Sequence, residues 1–370
     1  MGPKLLLPGR LVRVPATNTY NAEQDAAAGQ RMMRQMPYQL GLLAICLLLS
    51  GCKQPMQVVT RSAVVLGSPP LKNIKPLLEM PVQRGGDRSA KIALIDVDGL
   101  LLNRNMMGIF SAGENPVAIF REKLDRVAAD GCYRGVVLRI HSLGGGVTAS
   151  DIMRRDLEAF QAKTHLPVVA CIMDVGAGGA YYLATACDRI WAHPTSMVGG
   201  MGVMLNLYNL QDTMAQFNVV GVTVKSGQHA DLGTPIGATT EESRKLLQQI
   251  SDQLHRRFRD VVATSRPGID VSNASLFDGR IFTGPQAQEL KLIDDVGYLD
   301  DALDSVRHLA GCPQAAVMVL HRYQDMAHTV YDVTPNTPVQ SQLLPTLPGL
   351  NRSQLPTFLY MWQPEPTALP

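Results

Sequence analysis

The sequence predicts an α/β fold in which helices cover a sheet of buried strands. Short apolar runs of strand length alternate with segments of helical periodicity over residues 91–310, and no tandem duplication is visible. The chain has 370 residues, of which 46% are hydrophobic and 18% charged, so it can bury a sizeable core. The formal net charge of +2 comes without a basic cluster. Charge therefore indicates neither nucleic acid nor an anionic membrane surface as a partner.

The predicted domain begins with alternating strands and helices. Residues 91–99 predict a buried strand, and a helix over 116–130 follows, because Asn115 can cap it and Pro116 suits its first position. The same alternation continues along the chain. It predicts strand 135–141, helix 149–163, strand 167–173, a short helix near Gly178 and strand 189–193.

A long helix is predicted after residues 239–242, whose sequence Thr-Thr-Glu-Glu has the spacing of a capping box. Apolar residues recur at helical spacing along it, and we expect them to form one buried stripe. The stripe consists of Leu247, Ile250, Leu254, Phe258 and Val261.

The N-terminal part of the chain has the features of a targeting segment. Residues 39–49 form an apolar run of signal-peptide length, preceded by arginines and short for a membrane span. The run ends in Leu-Ser-Gly-Cys, which resembles the lipobox of bacterial lipoproteins and implies cleavage before Cys52 and acylation of its thiol. A plain secretory signal or a buried strand is the alternative. The resemblance implies a lipid-anchored protein of the cell envelope that faces the periplasm, and Lys53 favours the outer membrane.

Composition divides the chain into five parts. Residues 1–31 are interpreted as an over-extended gene start, 32–51 as a lipoprotein signal peptide and 52–90 as a tether rich in Pro, Gly, Lys and Gln. The folded domain spans 91–310, and 311–370 form a proline-rich arm. This arm, which contains the apolar cluster FLYMW, is expected to wrap the body, dock on a neighbour or lack structure.

Cysteine and histidine spacing predicts no metal site, and we expect no cofactor. An extracytoplasmic location permits disulfides, but the pairing cannot be read from the sequence. Cys171 and Cys187 are expected to serve as small buried hydrophobes, whereas Cys132 and Cys312 carry no such signal.

Two glycine-rich loops, Ser142–Gly146 and Gly176–Gly179, each join a buried strand to a helix. The segments around them, GVVLRIHSLGGGVTASDIMRRDLEAF and LPVVACIMDVGAGGAYYLATACDRIWAHPTSMVGGMGVM, resemble the bacterial signal peptide peptidase A (protease IV) family of serine peptidases. Residues 278–297 resemble the family's closing segment, which makes the resemblance specific. It implies the ClpP/crotonase-like spiral of β-β-α units over about residues 91–310.

The family's Ser/Lys dyad is absent at the matching positions. The resemblance places the nucleophilic serine directly before a Gly-Gly-Tyr-like sequence, where this chain has Gly178. It places the lysine base in a Ser-Gly-x-His-Lys-Asp segment, which here runs over 226–231 with Ala230 in the place of the lysine. Glycine cannot attack a carbonyl, and alanine cannot accept a proton. The sequence therefore offers no catalytic residue at either family position.

The glycine loops can still bind backbone. Glycine permits close approach of a ligand, and N–H groups at a helix start can hold an oxyanion or a peptide carbonyl. By resemblance, Gly144, Gly145 and Gly179 are the candidate peptide-binding or oxyanion-binding residues. We expect Gly145→Val to weaken peptide binding and leave the fold largely intact. The alternative is a pair of tight turns without a ligand. A dinucleotide fingerprint fails, because Tyr181 occupies its third glycine position.

Other side chains could replace the lost dyad. A relocated nucleophile would also need relocated oxyanion donors within about 3 Å of the developing charge, which argues against it. The candidates are Ser142, Ser150, Ser226, His229 and Asp231. His141 and His193 end strands, and we expect them at the surface or in the core with their hydrogen bonds satisfied. Met197, Met201 and Met204 either line a groove or pack in the core, and we favour core packing.

The leading hypothesis is a lipid-anchored protein of this family that binds peptides or signal-peptide remnants without cutting them. It is expected to form a homo-oligomer or a mixed ring with an active paralogue, because the resemblance implies assemblies in which neighbours complete the site. One alternative is an active serine endopeptidase with a relocated nucleophile or a paralogous partner subunit. Another is crotonase-like acyl-CoA chemistry, which a lipobox argues against.

Overall fold

The computed structural model describes residues 76–82, 86–105, 114–237, 239–322, 329 and 358–362. Cys52, the signal segment and most of the predicted tether and arm lie outside these residues. Within the part of the chain that is described, no helix is long and apolar enough to cross a membrane.

The described strands form one ten-stranded sheet. The strands are β1 Leu78–Pro81, β2 Asp87–Leu101, β3 Tyr133–Gly146, β4 Val168–Ala177, β5 Arg189–Ala192, β6 Met197–Gly199, β7 Ile281–Thr283, β8 Asp295–Val296, β9 Ala315–His321 and β10 Leu359–Met361. Their order is β1-β9-β2-β3-β4-β5-β8, while β10 pairs with β3, and β6 pairs with β4 and β7. The strands from β9 to β8 along this path are parallel, which confirms the predicted α/β class.

Helices connect the parallel strands, as the alternation in the sequence predicts. They are α1 Pro116–Ala129, α2 Val147–Thr164, α3 Gly179–Ala184, α4 Gln211–Gln216, α5 Glu241–Ser265, α6 Gly284–Glu289 and α7 Leu299–Leu309. Asn115 caps α1 as expected, because its side-chain oxygen accepts hydrogen bonds from the backbone of Val117 and Ala118. Together with the sheet, these helices form the expected fold of the ClpP/crotonase type.

The core has two faces. The larger cluster packs beneath α1, α2, α3 and α5, and the smaller one lies between the other face of the sheet and α7. Alternation along β2 and β3 assigns successive residues to opposite faces. On the smaller face Asp96 and Arg139 lie opposite each other and form a buried ion pair at 2.6 Å. Removing one partner of such a pair typically costs about 3–5 kcal/mol.

The sheet extends beyond the predicted domain boundaries of 91 and 310. β9 inserts between β1 and β2 and pairs in parallel with β2, so residues 315–321 belong to the core rather than to an arm. β1 and the first residues of β2 belong to the sheet rather than to a tether. The apolar run Ala315–His321 is fully buried, which explains why the sheet takes it up.

The predicted stripe on α5 was wrong for Ile250, which is 37% exposed. Leu247 and Phe258 are buried as expected. Residues 248–250 are all exposed, so the described part of the chain leaves this stretch of α5 uncovered, whereas Phe258 packs against Tyr182 of α3. Thr240 caps this helix through a hydrogen bond from Ser243 N–H.

Candidate functional site

The turn between β4 and α3 places Gly178 at the start of a helix. Gly178 has φ +53° and ψ −123°, a conformation that only glycine adopts without strain. Its N–H donates to the Gly199 carbonyl at 2.9 Å, and its carbonyl accepts from Tyr182 N–H at 2.9 Å. The predicted strand-to-helix turn is therefore present, with glycine at the position that the family resemblance assigns to the nucleophile.

The first glycine loop is held by β2. The Ser142 hydroxyl donates to the Gly99 carbonyl at 2.6 Å and accepts from Gly144 N–H at 3.1 Å. Gly145 lies so close to β2 that an added Cβ would be 2.6 Å from the Leu101 nitrogen and would overlap the Leu101 carbonyl oxygen. The expectation that Gly145→Val leaves the fold intact was therefore wrong, because a side chain there would push two central strands apart.

β10 lies against the glycine loop as an added strand. It runs antiparallel to the end of β3, with Leu359 opposite Gly146, Tyr360 opposite Gly145 and Met361 opposite Gly144. On its other edge, Leu359 exchanges two backbone hydrogen bonds of 3.0 Å with Met204. We call the space between Gly144–Gly146 and Met204, with Gly178 at its base, the glycine groove.

The Tyr360 side chain fills an aromatic pocket beneath the glycine groove. Tyr360 is fully buried, and its ring centroid lies 5.3 Å from that of Tyr182 and 4.7 Å from that of Phe258. Its hydroxyl donates to the Leu254 carbonyl at 2.7 Å. Burial raises the pKa of Tyr360 to about 12, since the phenolate would lose its hydration. The pocket thus takes an aromatic ring and satisfies one hydroxyl.

Charged groups surround the outer side of this pocket. The Asp151 carboxylate accepts hydrogen bonds from Tyr182 at 2.7 Å and from Arg257 at 2.6 Å. Burial opposes ionisation of Asp151, but these two hydrogen bonds keep its pKa below the usual value. The arrangement fixes the Tyr182 ring, which forms one wall of the Tyr360 pocket.

The structure brings four of the predicted site residues together. Gly144, Gly145, Gly178 and Gly179 all lie beside the backbone of Tyr360. The apolar cluster FLYMW is visible in the sequence, but its place at this site is not predicted. A short apolar run between two prolines can indicate a strand, but it does not specify which strand is its partner.

Ala230, which the resemblance places at the position of the base, lies in an exposed turn. In this turn the Lys225 ammonium donates to the Asp231 carboxylate at 2.6 Å and to the Gln228 carbonyl at 2.8 Å. The hydrogen bond from Lys225 lowers the pKa of Asp231. A cavity of about 150 Å³ here is lined by residues 225–243, and among the described residues none of its lining belongs to the glycine loops. The structure does not join Ala230 to Gly178.

The serines that could replace the nucleophile either form hydrogen bonds that hold the fold or are exposed. The Ser150 hydroxyl is buried and donates to the Gly146 carbonyl at 3.0 Å, while that of Ser142 holds the first loop. Ser226 lies on an exposed bend. Ser150 lies beside the start of α3, because its hydroxyl occupies the space that a Cβ on Gly179 would take.

The histidines and methionines named in the sequence analysis lie in different environments. His141 is exposed, with its ring 3.4 Å from Asp174, and the His193 ring contacts the Thr195 hydroxyl at 2.8 Å. Met201 is fully buried in the core, whereas Met204 borders the glycine groove through its backbone.

The described cysteines are free thiols. Cys171 is buried, as expected, and burial raises its pKa to about 12, whereas Cys132, Cys187 and Cys312 are partly exposed. Across the described residues, no group of three or more His, Cys, Asp or Glu side chains could hold a metal ion.

Comparison with known proteins assigns the family. The profile of peptidase family S49 matches residues 160–312. The chain is 30% identical to a putative signal peptide peptidase SppA of Enterococcus faecium. The 222 aligned residues cover 60% of this chain and 64% of the relative. The chain is 30% identical over 226 residues to a putative protease of Methanocaldococcus jannaschii, covering 61% of this chain and 72% of the relative. Protease 4 of Salmonella typhi is 26% identical over 289 residues, covering 78% of this chain and 43% of the relative.

Proposed function

Because the chain belongs to peptidase family S49, the family of SppA and protease 4, we propose that it is a non-hydrolysing member that binds extended peptides in the glycine groove. The observation that carries this proposal is Gly178 at the start of α3, where the serine is expected by resemblance. Ala230 at the base position supports it. Loss of a nucleophile alone typically costs orders of magnitude in rate.

The groove retains what a peptide backbone needs. The end of β3 and the backbone of Met204 offer two edges, which can pair with an extended chain as β-strands do. Main-chain hydrogen bonds supply affinity in this mode, and side-chain pockets supply selectivity. The natural ligands in this proposal are unfolded segments or signal-peptide remnants.

The test uses the full chain, purified from membranes in detergent. We expect no labelling by a fluorophosphonate probe and no turnover of fluorogenic peptides, while calorimetry detects binding of a hydrophobic peptide. An S49 peptidase that has serine and lysine at the two positions is the positive control. Labelling of Ser142, Ser150 or Ser226 that disappears when that serine is mutated would support the alternative of a relocated nucleophile.

The proposed location rests on the sequence of the N-terminal segment. The protein is anchored in this proposal by a lipid on Cys52 and faces the periplasm, with Lys53 directing it to the outer membrane. A diacyl chain supplies more membrane affinity than the modest charge of the chain does. Mass spectrometry of the mature N-terminus tests the modification. Unchanged processing and membrane association of Cys52→Ala would contradict it.

We propose that the protein assembles into a homo-oligomer or into a mixed ring with an active paralogue. Exposed apolar side chains support it, because contiguous apolar surface marks interaction sites. They cluster in one segment and comprise Phe217, Val219, Val220, Val222 and Val224, which are between 50% and 96% exposed. Light scattering of the detergent-purified chain gives the mass, and a strictly monomeric species would contradict this part.

A further inference from the structure

β10 lies directly against Gly178. A Cβ added to Gly178 would overlap the Tyr360 carbonyl oxygen and lie 2.6 Å from the Tyr360 carbonyl carbon and 2.9 Å from the Met361 Cα. These three atoms are the nearest ones to that Cβ, and all belong to residues 360–361. Any side chain at 178 therefore competes for space with β10.

Contacts on every side hold β10 in the glycine groove. Backbone hydrogen bonds join Val147 N–H to the Phe358 carbonyl at 3.2 Å and Trp362 N–H to the Leu143 carbonyl at 3.0 Å. The two bonds to Met204 hold the opposite edge, and Tyr360 is fully buried. The segment satisfies both edges and fills the aromatic pocket, so the groove has no room for a second strand while β10 is in place.

We infer that residues 358–362 of the chain itself are the resident occupant of the glycine groove, and that glycine at position 178 is required for their insertion. An external peptide then binds only when this segment leaves. The expected competition with external peptides rests on the proposed function. The insertion of residues 358–362 does not. It also gives a physical reason for glycine at 178, because a serine there would overlap the Tyr360 carbonyl group.

A disulfide across the strand pair tests the insertion in the full chain. Leu359 and Gly146 face each other between the hydrogen-bonded pairs 358–147 and 360–145, where side chains of antiparallel strands approach most closely. A Cβ on Gly146 meets nothing closer than 3.8 Å, so cysteine fits there. We expect Gly146→Cys with Leu359→Cys to form a 146–359 disulfide within one chain on mild oxidation, mapped by peptide mass. Absence of this bond, or a bond only between two chains, would overturn the inference.

A second measurement tests the role of Gly178. Met361 is 7% exposed, so a cysteine at that position is protected from alkylation while the segment is inserted. In the Met361→Cys chain, we expect Gly178→Ala to raise the alkylation rate at least about tenfold through overpacking. Gly311→Ala is the matched control, since Gly311 has φ +65° but nothing within 4 Å of its added Cβ. Equal rates in the two variants would refute the coupling between Gly178 and the segment.

A third measurement separates this inference from the proposed function. The probe is a fluorescent peptide with the sequence of residues 354–366, applied to the oxidised and reduced disulfide variant. We expect binding after reduction and at least about a tenfold loss after oxidation. If the disulfide forms but the peptide binds in neither state, self-insertion stands and the proposed peptide binding fails. Equal binding in both states would overturn the competition between the segment and external peptides.

Discussion

The glycine groove and residues 205–237 differ in how the chain packs around them. In the groove, Gly144 and Gly178 are so close to the backbone of β10 that a Cβ on either would overlap it. Between residues 217 and 224, by contrast, Val222 and Val224 are 81% and 96% exposed. Gly178 therefore lies where one chain completes its own packing. Ala230 lies in a segment that a single chain leaves exposed.

This difference decides what a side chain at 178 and a side chain at 230 would each change in the structure. In the packed region, a change of side chain alters steric fit, so glycine at 178 has a structural consequence. In the exposed segment, lysine or alanine at 230 makes little difference to packing. Alanine rather than lysine at 230 is therefore a purely chemical difference, whereas glycine rather than serine at 178 also makes room for a strand.

The largest expected effect is a loss of stability on Gly145→Ala. The added methyl group would overlap the Leu101 backbone, and neither central strand can move without breaking its other pairings. We expect the free energy of unfolding to fall by about 3 kcal/mol or more, as in severe overpacking. Urea denaturation followed by far-ultraviolet circular dichroism measures it.

The matched control for this change is Gly227→Ala in the exposed segment. A Cβ there meets only the Ala230 side chain at 3.8 Å, so its effect is expected to stay within about 0.5 kcal/mol. Similar losses at the two glycines would break the contrast between the two regions.

An intermediate effect is expected from making the exposed segment polar. The double variant Val222→Thr with Val224→Thr removes apolar surface that the proposed oligomer buries, at a cost of about 2 kcal/mol of association energy per chain. We expect light scattering to show a smaller mass at a given concentration. The unfolding free energy of the dissociated chain should stay within about 0.5 kcal/mol of wild type. An unchanged mass would mean that this segment is not the interface.

The sequence predicts the local parts of the fold better than the distant pairings. The helix α1 and the strands β3 and β4 follow from capping residues and apolar runs within a few residues of one another. The pairing of β10 with β3 joins residues more than 200 positions apart, and no local pattern specifies its register. Likewise, the apolar run of β9 is visible in the sequence, but its insertion between β1 and β2 is not.

The same distinction holds for the site. The glycine positions 144, 145, 178 and 179 could be predicted because short motifs carry them. Their true neighbour, Tyr360, could not be predicted, because an aromatic residue in a proline-rich arm looks the same whether it is buried or exposed. The close contact of Gly145 with β2 was also hidden, since a glycine motif does not tell which backbone approaches it.

The smallest expected effect comes from Tyr360→Phe, which keeps the ring and removes the hydrogen bond to the Leu254 carbonyl. Such a bond contributes about 1 kcal/mol, so the alkylation rate of a cysteine at 361 should rise about fivefold. Burial raises the pKa of Tyr360 to about 12, so the inserted state retains its proton more tightly than the released one. Insertion is therefore fully stable below about pH 10 and weakens as pH rises towards 12.

A free cysteine thiol is already ionised above about pH 10, so a rise in the iodoacetamide alkylation rate over that interval reports release of the segment. We expect this rise with tyrosine at 360 and a flat rate with phenylalanine, because phenylalanine has no proton to lose. The comparison distinguishes ionisation at the groove from general alkaline unfolding, which would affect both chains alike. An equal rise in both would show that the Tyr360 hydroxyl does not control insertion, and that the aromatic ring and the backbone pairing with β3 hold the segment without it.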